Sequence, residues 1–105
     1  MSDILSRLAE TIEARRGADP ESSWTARLLA AGPGRAAEKF GEEAVETIVA
    51  ALQGDRESLT REAADALYHL LVLLCASDVS LAAVLAELER REGVSGIAEK
   101  AGRKG

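Results

Sequence analysis

Aromatic side chains make up only 3% of this chain of 105 residues, with Trp24, Phe40 and Tyr68 each the sole member of its type, so any core it builds is aliphatic. Cysteine occurs once. No disulfide can form within one chain, and Cys75, set inside Leu70-Leu71-Val72-Leu73-Leu74-Cys75-Ala76, reads as a buried, inert thiol and not as a nucleophile. Positive charge is in the minority. The net charge of −5 and an isoelectric point near 4.9 argue against nucleic-acid binding through a basic surface, although Lys100, Arg103 and Lys104 make the C-terminus locally basic. No apolar run reaches the length of a membrane span and the N-terminus has no apolar signal-peptide core, so a cytoplasmic protein without membrane contact is expected. Strand-like alternation, internal repeats and low-complexity linkers are missing as well.

What is present is helical periodicity. Ser2 or Asp3 can cap a first helix, roughly Ile4 to Arg16, with Ile4, Leu5, Leu8, Ala9 and Ile12 at helical spacing, and the stretch Gly17 to Ser22 breaks it. A short helix from about Ser23 to Ala31 follows. Gly32-Pro33-Gly34 then punctuates before a long helix that runs to Gln53, where Gly54 ends it. Asp55, in competition with Ser58, caps a helix through about Ala76, and Ser80 caps a last one from Leu81 to about Glu92. Residues 1–92 thus read as one all-α domain, a four-to-five-helix bundle, and residues 93–105 as a short Gly/Lys-rich tail. Positions 70 to 76 are apolar on every side of their helix and need cover on every side, which a four-helix monomer of this size does not supply. A homodimer with a shared core is therefore expected.

Chemistry enters with two acidic pairs, Glu43-Ala44-Val45-Glu46 and Glu62-Ala63-Ala64-Asp65, separated by fifteen residues. A three-residue spacing puts each pair on one side of a helix about a turn apart, so two such helices packed together bring four carboxylates to one place. Glu42 adds a fifth. Acids crowded in this way repel, and a hard divalent cation is the natural counter-charge. A single ExxE or ExxD carries little weight, because solvated acidic faces are common; two on adjacent helices carry more. Glu42, Glu43 and Glu46 lie opposite a stripe of Ala37, Gly41, Ala44, Val45, Ile48 and Leu52, with Lys39 on their own face. Glu62, Asp65 and His69 flank the stripe Leu59, Ala63, Ala66, Leu67, Leu70 and Leu74. Gly41 interrupts the long helix on its apolar face, which suggests close helix packing.

The segments Ser23-Trp24-Thr25-Ala26-Arg27-Leu28-Leu29, Gly32-Pro33-Gly34, Lys39-Phe40-Gly41-Glu42-Glu43-Ala44-Val45-Glu46 and Glu62-Ala63-Ala64-Asp65-Ala66-Leu67-Tyr68-His69-Leu70-Leu71 together resemble phosphoribosyl-ATP pyrophosphohydrolases of histidine biosynthesis. The similarity runs over residues 4 to 92 and continues through Val79-Ser80-Leu81 and Val84 to Arg91. The ExxE and ExxD pairs are shared with the wider MazG-like all-α nucleoside triphosphate pyrophosphohydrolases, whereas the SxT…GP and Tyr68-His69 portions point to the narrower family. The Gly/Lys-rich tail departs from the pattern and touches no motif.

That resemblance implies a MazG-like fold and Mg²⁺-dependent hydrolysis of the α–β phosphoanhydride of phosphoribosyl-ATP to phosphoribosyl-AMP and pyrophosphate, the second step of histidine biosynthesis. Glu43, Glu46, Glu62 and Asp65 match the metal-binding positions. Glu42 is the spare carboxylate for orienting or deprotonating water, unless it is a solvated surface charge, and Lys39 either meets a phosphate or pairs with Glu42 or Glu43. Thr25 and Arg27, in the SxT segment, can meet ribose or phosphates, and Trp24 either stacks on adenine or joins the core. His69 is a substrate contact or a structural hydrogen-bonding group. Two other readings use the same residues: a house-cleaning (deoxy)nucleoside triphosphate pyrophosphohydrolase, and a non-enzymatic helical dimerisation module with a solvated acidic face. This sequence shows no second catalytic domain with cysteine and histidine metal ligands, so if the family reading is right the following step of the pathway is expected of another polypeptide.

Overall fold

A computed structural model describes residues 3–92, all of whose regular elements are helices: α1 (Asp3–Ala14), α2 (Trp24–Ala31), α3 (Pro33–Gln53), α4 (Arg56–Ala76) and α5 (Leu81–Arg91). The expected cap at Ser2 and the expected tail from residue 93 lie outside the described residues. Each internal boundary has a local cause. Helix α1 ends two residues earlier than its periodicity suggests, because Arg15 and Arg16 donate to Ile12 and Glu13 carbonyls in tight i→i−3 turns that lead to Gly17 at φ +81°. Ser23 caps α2 by accepting from the Ala26 amide at 3.1 Å. The next helix starts at Pro33 itself and not after Gly34, since a proline at the first helical position needs no amide partner and has its φ already set; only Gly32, at φ +94°, separates α2 from α3. Gly54 at φ +73° closes α3, and Asp55, not Ser58, caps α4 by accepting from the Ser58 amide at 3.1 Å.

A two-residue connection forces α3 and α4, each 21 residues, into an antiparallel hairpin roughly 30 Å long. Helix α1 lies against α4, and α2 sits where both long helices can be reached. The buried core is small and aliphatic as expected, built on Ile12, Leu28, Ala36, Leu71 and Val72 with Leu5, Leu8 and Tyr68 against it.

Two expectations about faces change. The run from 70 to 76 is largely covered inside the chain, with Leu71 and Val72 buried and the others half-buried, because Leu8 and Ile12 of α1 and Leu28 of α2 pack onto it. The most extended exposed apolar stripe among the described residues sits on α3 instead, where Val45, Ile48, Val49 and Leu52 are 57%, 57%, 45% and 83% exposed. The face of α3 that meets α4 is the one bearing Ala36, Phe40, Glu43, Thr47 and Ala50. Gly41 is on the open side: a Cβ there would meet nothing within 4 Å, so close packing within the chain does not account for it. Cys75 is half-buried rather than buried; its thiol donates to Glu13 Oε1 at 3.2 Å, and burial followed by that carboxylate pushes its pKa up, which keeps it protonated and unreactive.

Candidate metal centre

Pairing α3 with α4 in this register places Glu43 opposite the turn that carries Glu62 and Asp65. Carboxylate oxygens of the three lie within 4.8 Å of one another. Glu43 points into the helix interface, its side chain 12% exposed, while Asp65 stays open to solvent. Glu62 is half-buried, and its Oε1 is sealed from water with no hydrogen-bond partner. Burial raises the pKa of Glu62, and a side-chain hydrogen bond with Glu46 together with the charges of Glu46, Asp65 and Glu43 raises it further. All four acids of the two sequence pairs are thus brought together: three in one tight group and Glu46, on the exposed flank of α3, against Glu62. A cleft of about 270 Å³ opens beside Glu46 and Glu62, lined also by Val45, Val49 and Ala50.

A buried carboxylate oxygen without a donor is costly unless something positive meets it. The donor set is all oxygen, it is multiply anionic and it opens to solvent on one side. Those properties suit a hard divalent cation that keeps some of its waters, and Mg²⁺ fits better than a thiolate- or imidazole-seeking metal. Glu43, Glu46, Glu62 and Asp65 are the residues able to hold it.

Lys39 pairs with the acids of its own helix, Nζ lying 3.1 Å from Glu42 Oε1 and 3.9 Å from Glu43 Oε2, one turn away. The same ammonium lies 6.0 Å from the centroid of the Trp24 ring, which is nearly half exposed and outside the core. Indole, ammonium and carboxylates therefore form one continuous strip from the start of α2 to the acidic group. Glu42 is exposed and held by Lys39 at the edge of that strip.

Thr25 faces α4, its hydroxyl hydrogen-bonded to the Tyr68 hydroxyl, so the SxT segment is tied to the helix that carries Glu62 and Asp65. Arg27, two residues on, faces another way and donates to the Pro20 carbonyl at 3.4 Å. The structure brings Thr25 toward the site and leaves Arg27 on the loop side of α2. His69 is buried, 7% exposed and edge-on to Tyr68 at 4.8 Å between ring centroids. Its Nδ1 lies 2.9 Å from the Asp65 carbonyl, an obligate acceptor, so Nδ1 carries the hydrogen and Nε2 is left as an acceptor without a partner. Sequence reasoning did not single out Thr47, whose hydroxyl touches both the Glu43 and the Glu62 carbonyls. Its position one turn after Glu43 on the same face was the available signal.

A larger cleft of about 350 Å³ lies elsewhere, between α1, α4 and α5, lined by Glu10, Glu13 and Cys75 among apolar residues. It gathers no comparable set of ligands. The acidic group is the better candidate site despite its shallower shape.

Comparison with known proteins identifies the family. A family model described as phosphoribosyl-ATP pyrophosphohydrolase matches residues 5–92. Among curated proteins, phosphoribosyl-ATP pyrophosphatases of Cereibacter sphaeroides and Dinoroseobacter shibae are 72% and 71% identical over 100 residues, covering 95% of this chain and 97% and 98% of theirs. That of Rhodobacter capsulatus is 71% identical over 99 residues, covering 94% of this chain and 96% of its own.

Proposed function

This chain belongs to the phosphoribosyl-ATP pyrophosphohydrolase family, and from that premise we propose that it hydrolyses phosphoribosyl-ATP at the α–β phosphoanhydride, giving phosphoribosyl-AMP and pyrophosphate in histidine biosynthesis. The observation that carries the reading to these residues is the convergence of Glu43, Glu62 and Asp65 within 4.8 Å around a buried, unpartnered carboxylate oxygen. An acidic protein can hold a polyphosphate at such a place only through cations. We assign Mg²⁺ to Glu43, Glu46, Glu62 and Asp65. When bound there it neutralises phosphate charge and polarises the phosphoryl group and the attacking water.

The protein groups do the rest by position. Lys39 presents a second positive charge beside the acids and can turn from Glu43 to a phosphate oxygen. Glu42, held at 3.1 Å by Lys39, is the carboxylate at the rim for orienting the water and accepting its proton. Trp24, exposed next to Lys39, offers a ring face to the purine. Thr25, anchored through Tyr68, fixes the start of α2 against α4, and Arg27 supplies a cation on the outer side of that helix. The Asp65 carbonyl, capped by His69, holds the turn from which the Asp65 carboxylate projects, and the buried His69 ring acts there as a structural hydrogen-bonding group.

The proposal includes a homodimer in the cytoplasm. Val45, Ile48, Val49 and Leu52 form an i, i+3, i+4, i+7 stripe that is mostly exposed in one chain, a surface that a symmetric second copy covers. Pyrophosphate release from phosphoribosyl-ATP and from a panel of common and noncanonical nucleoside triphosphates, each with Mg²⁺ and with excess chelator, tests the function. Release confined to phosphoribosyl-ATP and lost in chelator supports it. Equal activity across the panel makes the chain a house-cleaning enzyme, and no release from any substrate leaves the helical module.

A further inference from the structure

Convergence of the acids depends on one relation, the axial register of α3 against α4. A slip of a single helical turn moves one helix by about 5.4 Å, which exceeds the 4.8 Å within which the ligand atoms of Glu43, Glu62 and Asp65 lie. The covered residues of both helices include short side chains, with Ala36 and Ala50 buried on α3 and Ala63 and Ala66 half-buried on α4. Such short side chains form shallow ridges and resist sliding weakly. The carboxylates themselves repel and cannot set the register without a cation.

We propose that Thr47 is a positioning residue for this centre, its hydroxyl fastening the backbone of Glu43 to the backbone of Glu62 and so fixing the register at which the carboxylates meet. Thr47 Oγ1 lies 2.8 Å from the Glu43 carbonyl and 3.0 Å from the Glu62 carbonyl. Both partners can only accept, so the hydroxyl donates and its single hydrogen is shared between them. A bond back to the carbonyl four residues earlier is ordinary for threonine in a helix. Reaching a second carbonyl on the facing helix is not, and here both carbonyls belong to residues of the acidic group. One oxygen thereby holds the two backbones within about 6 Å of one another in a half-buried position where water competes poorly. The role rests on the reading of Glu43, Glu62 and Asp65 as cation ligands.

The test compares the parent with Thr47→Val, which keeps the shape and loses the hydroxyl, Thr47→Ser, which keeps the hydroxyl, and Glu62→Gln, which removes a carboxylate. Mn²⁺ affinity is measured by the electron paramagnetic resonance signal of the free ion, and folding by circular dichroism melts in chelator. Thr47→Val should weaken Mn²⁺ binding on the order of 10-fold or more, as removal of a group that orients a ligand does, with its helices retained in chelator. Thr47→Ser should stay within roughly 3-fold of the parent. Parent-like Mn²⁺ affinity in Thr47→Val overturns the proposal, and so does an equal loss in Thr47→Ser, which would assign the effect to the methyl group. If Thr47→Val does not fold, Thr47→Ala, lacking the hydroxyl without added bulk, is measured in its place against the same two outcomes. Undiminished Mn²⁺ binding in Glu62→Gln overturns the cation reading itself, whereas its loss there beside parent-like binding in the hydroxyl-free variant overturns only the role of Thr47.

Discussion

Replacing Glu62 by glutamine separates a metal ligand from a surface charge and from a structural ion pair. Without a cation the parent holds Glu62 in an unfavourable setting: its Oε1 is buried without a partner, and burial, Glu46, Asp65 and Glu43 all push its pKa up. Glutamine removes the charge and brings an amide donor toward Glu46, so in chelator Glu62→Gln should melt no lower than the parent. In Mg²⁺ the order should reverse. At a hundred times its dissociation constant a ligand that binds only the folded state stabilises by about 2.7 kcal/mol, which for a domain of this size raises the melting temperature by roughly 10 to 20 °C. The variant, lacking one of the ligands, should gain only a small part of that. Pyrophosphate release should fall on the order of 10²-fold, the upper end of what losing even an outer-shell partner costs. Differential scanning fluorimetry at one fixed protein concentration and a pyrophosphate-release assay, each with and without Mg²⁺, supply the four comparisons. A variant that keeps its activity and its Mg²⁺-induced shift removes Glu62 from the metal set. One that melts lower by the same amount in both buffers makes Glu62 a structural group.

The raised pKa of Glu62 also sets a pH dependence: the metal-free fold is disfavoured by its ionisation, so stability in chelator should rise as pH falls from neutral toward the ordinary carboxylate value of 4.5, and a flat profile in the parent would contradict the crowding. The rise should be smaller in Glu62→Gln. Leu52→Glu, on the most exposed residue of the open α3 stripe, should shift light-scattering mass from about twice 11.1 kDa toward one chain; a parent that is already monomeric at micromolar concentration refutes the dimer. Ile12→Ala, at the buried contact of α1 with α4, should cost about 2 to 5 kcal/mol in urea unfolding, and a loss under about 1 kcal/mol would show that α1 does not complete the core. Trp24→Ala should raise KM for phosphoribosyl-ATP with little change in melting, and unchanged kinetics would confine the indole to the surface.

Much of the fold was legible because helix boundaries are local chemistry. Gly54, Asp55 and Ser80 stop or start helices through their own φ angles and side-chain oxygens, each at the position its type predicts, and Ser23, read as the start of α2, is its cap. The acidic group was legible for a related reason. Three-residue spacing on helices fixes which carboxylates share a side, and a two-residue connection leaves α3 and α4 little choice but to lie antiparallel. Cross-helix partners were not legible, since the Thr25–Tyr68 and Thr47–Glu62 bonds depend on how far each helix slides and rotates after packing, which no local signal encodes.

The two faces of α3 show where amphipathicity stops being a guide to the interior. Its strongest apolar stripe, through Val45, Ile48 and Leu52, is the natural choice for the inward side, yet that stripe is open and the side bearing Phe40, Glu43, Thr47 and two alanines meets α4. Small residues permit the close approach that lets Thr47 reach a carbonyl on the other helix, and close approach is what crowds Glu43 against Glu62 and Asp65. A bulky side chain in place of Thr47 or Ala50 would hold the helices apart beside the acids. The aliphatic residues Val45, Ile48, Val49 and Leu52 stand on the opposite, open face. A hydrophobic pattern records burial in the final assembly, not burial within one chain, so a helix with an acidic face toward its own neighbour and an aliphatic face toward solvent is the pattern that the proposed homodimer predicts.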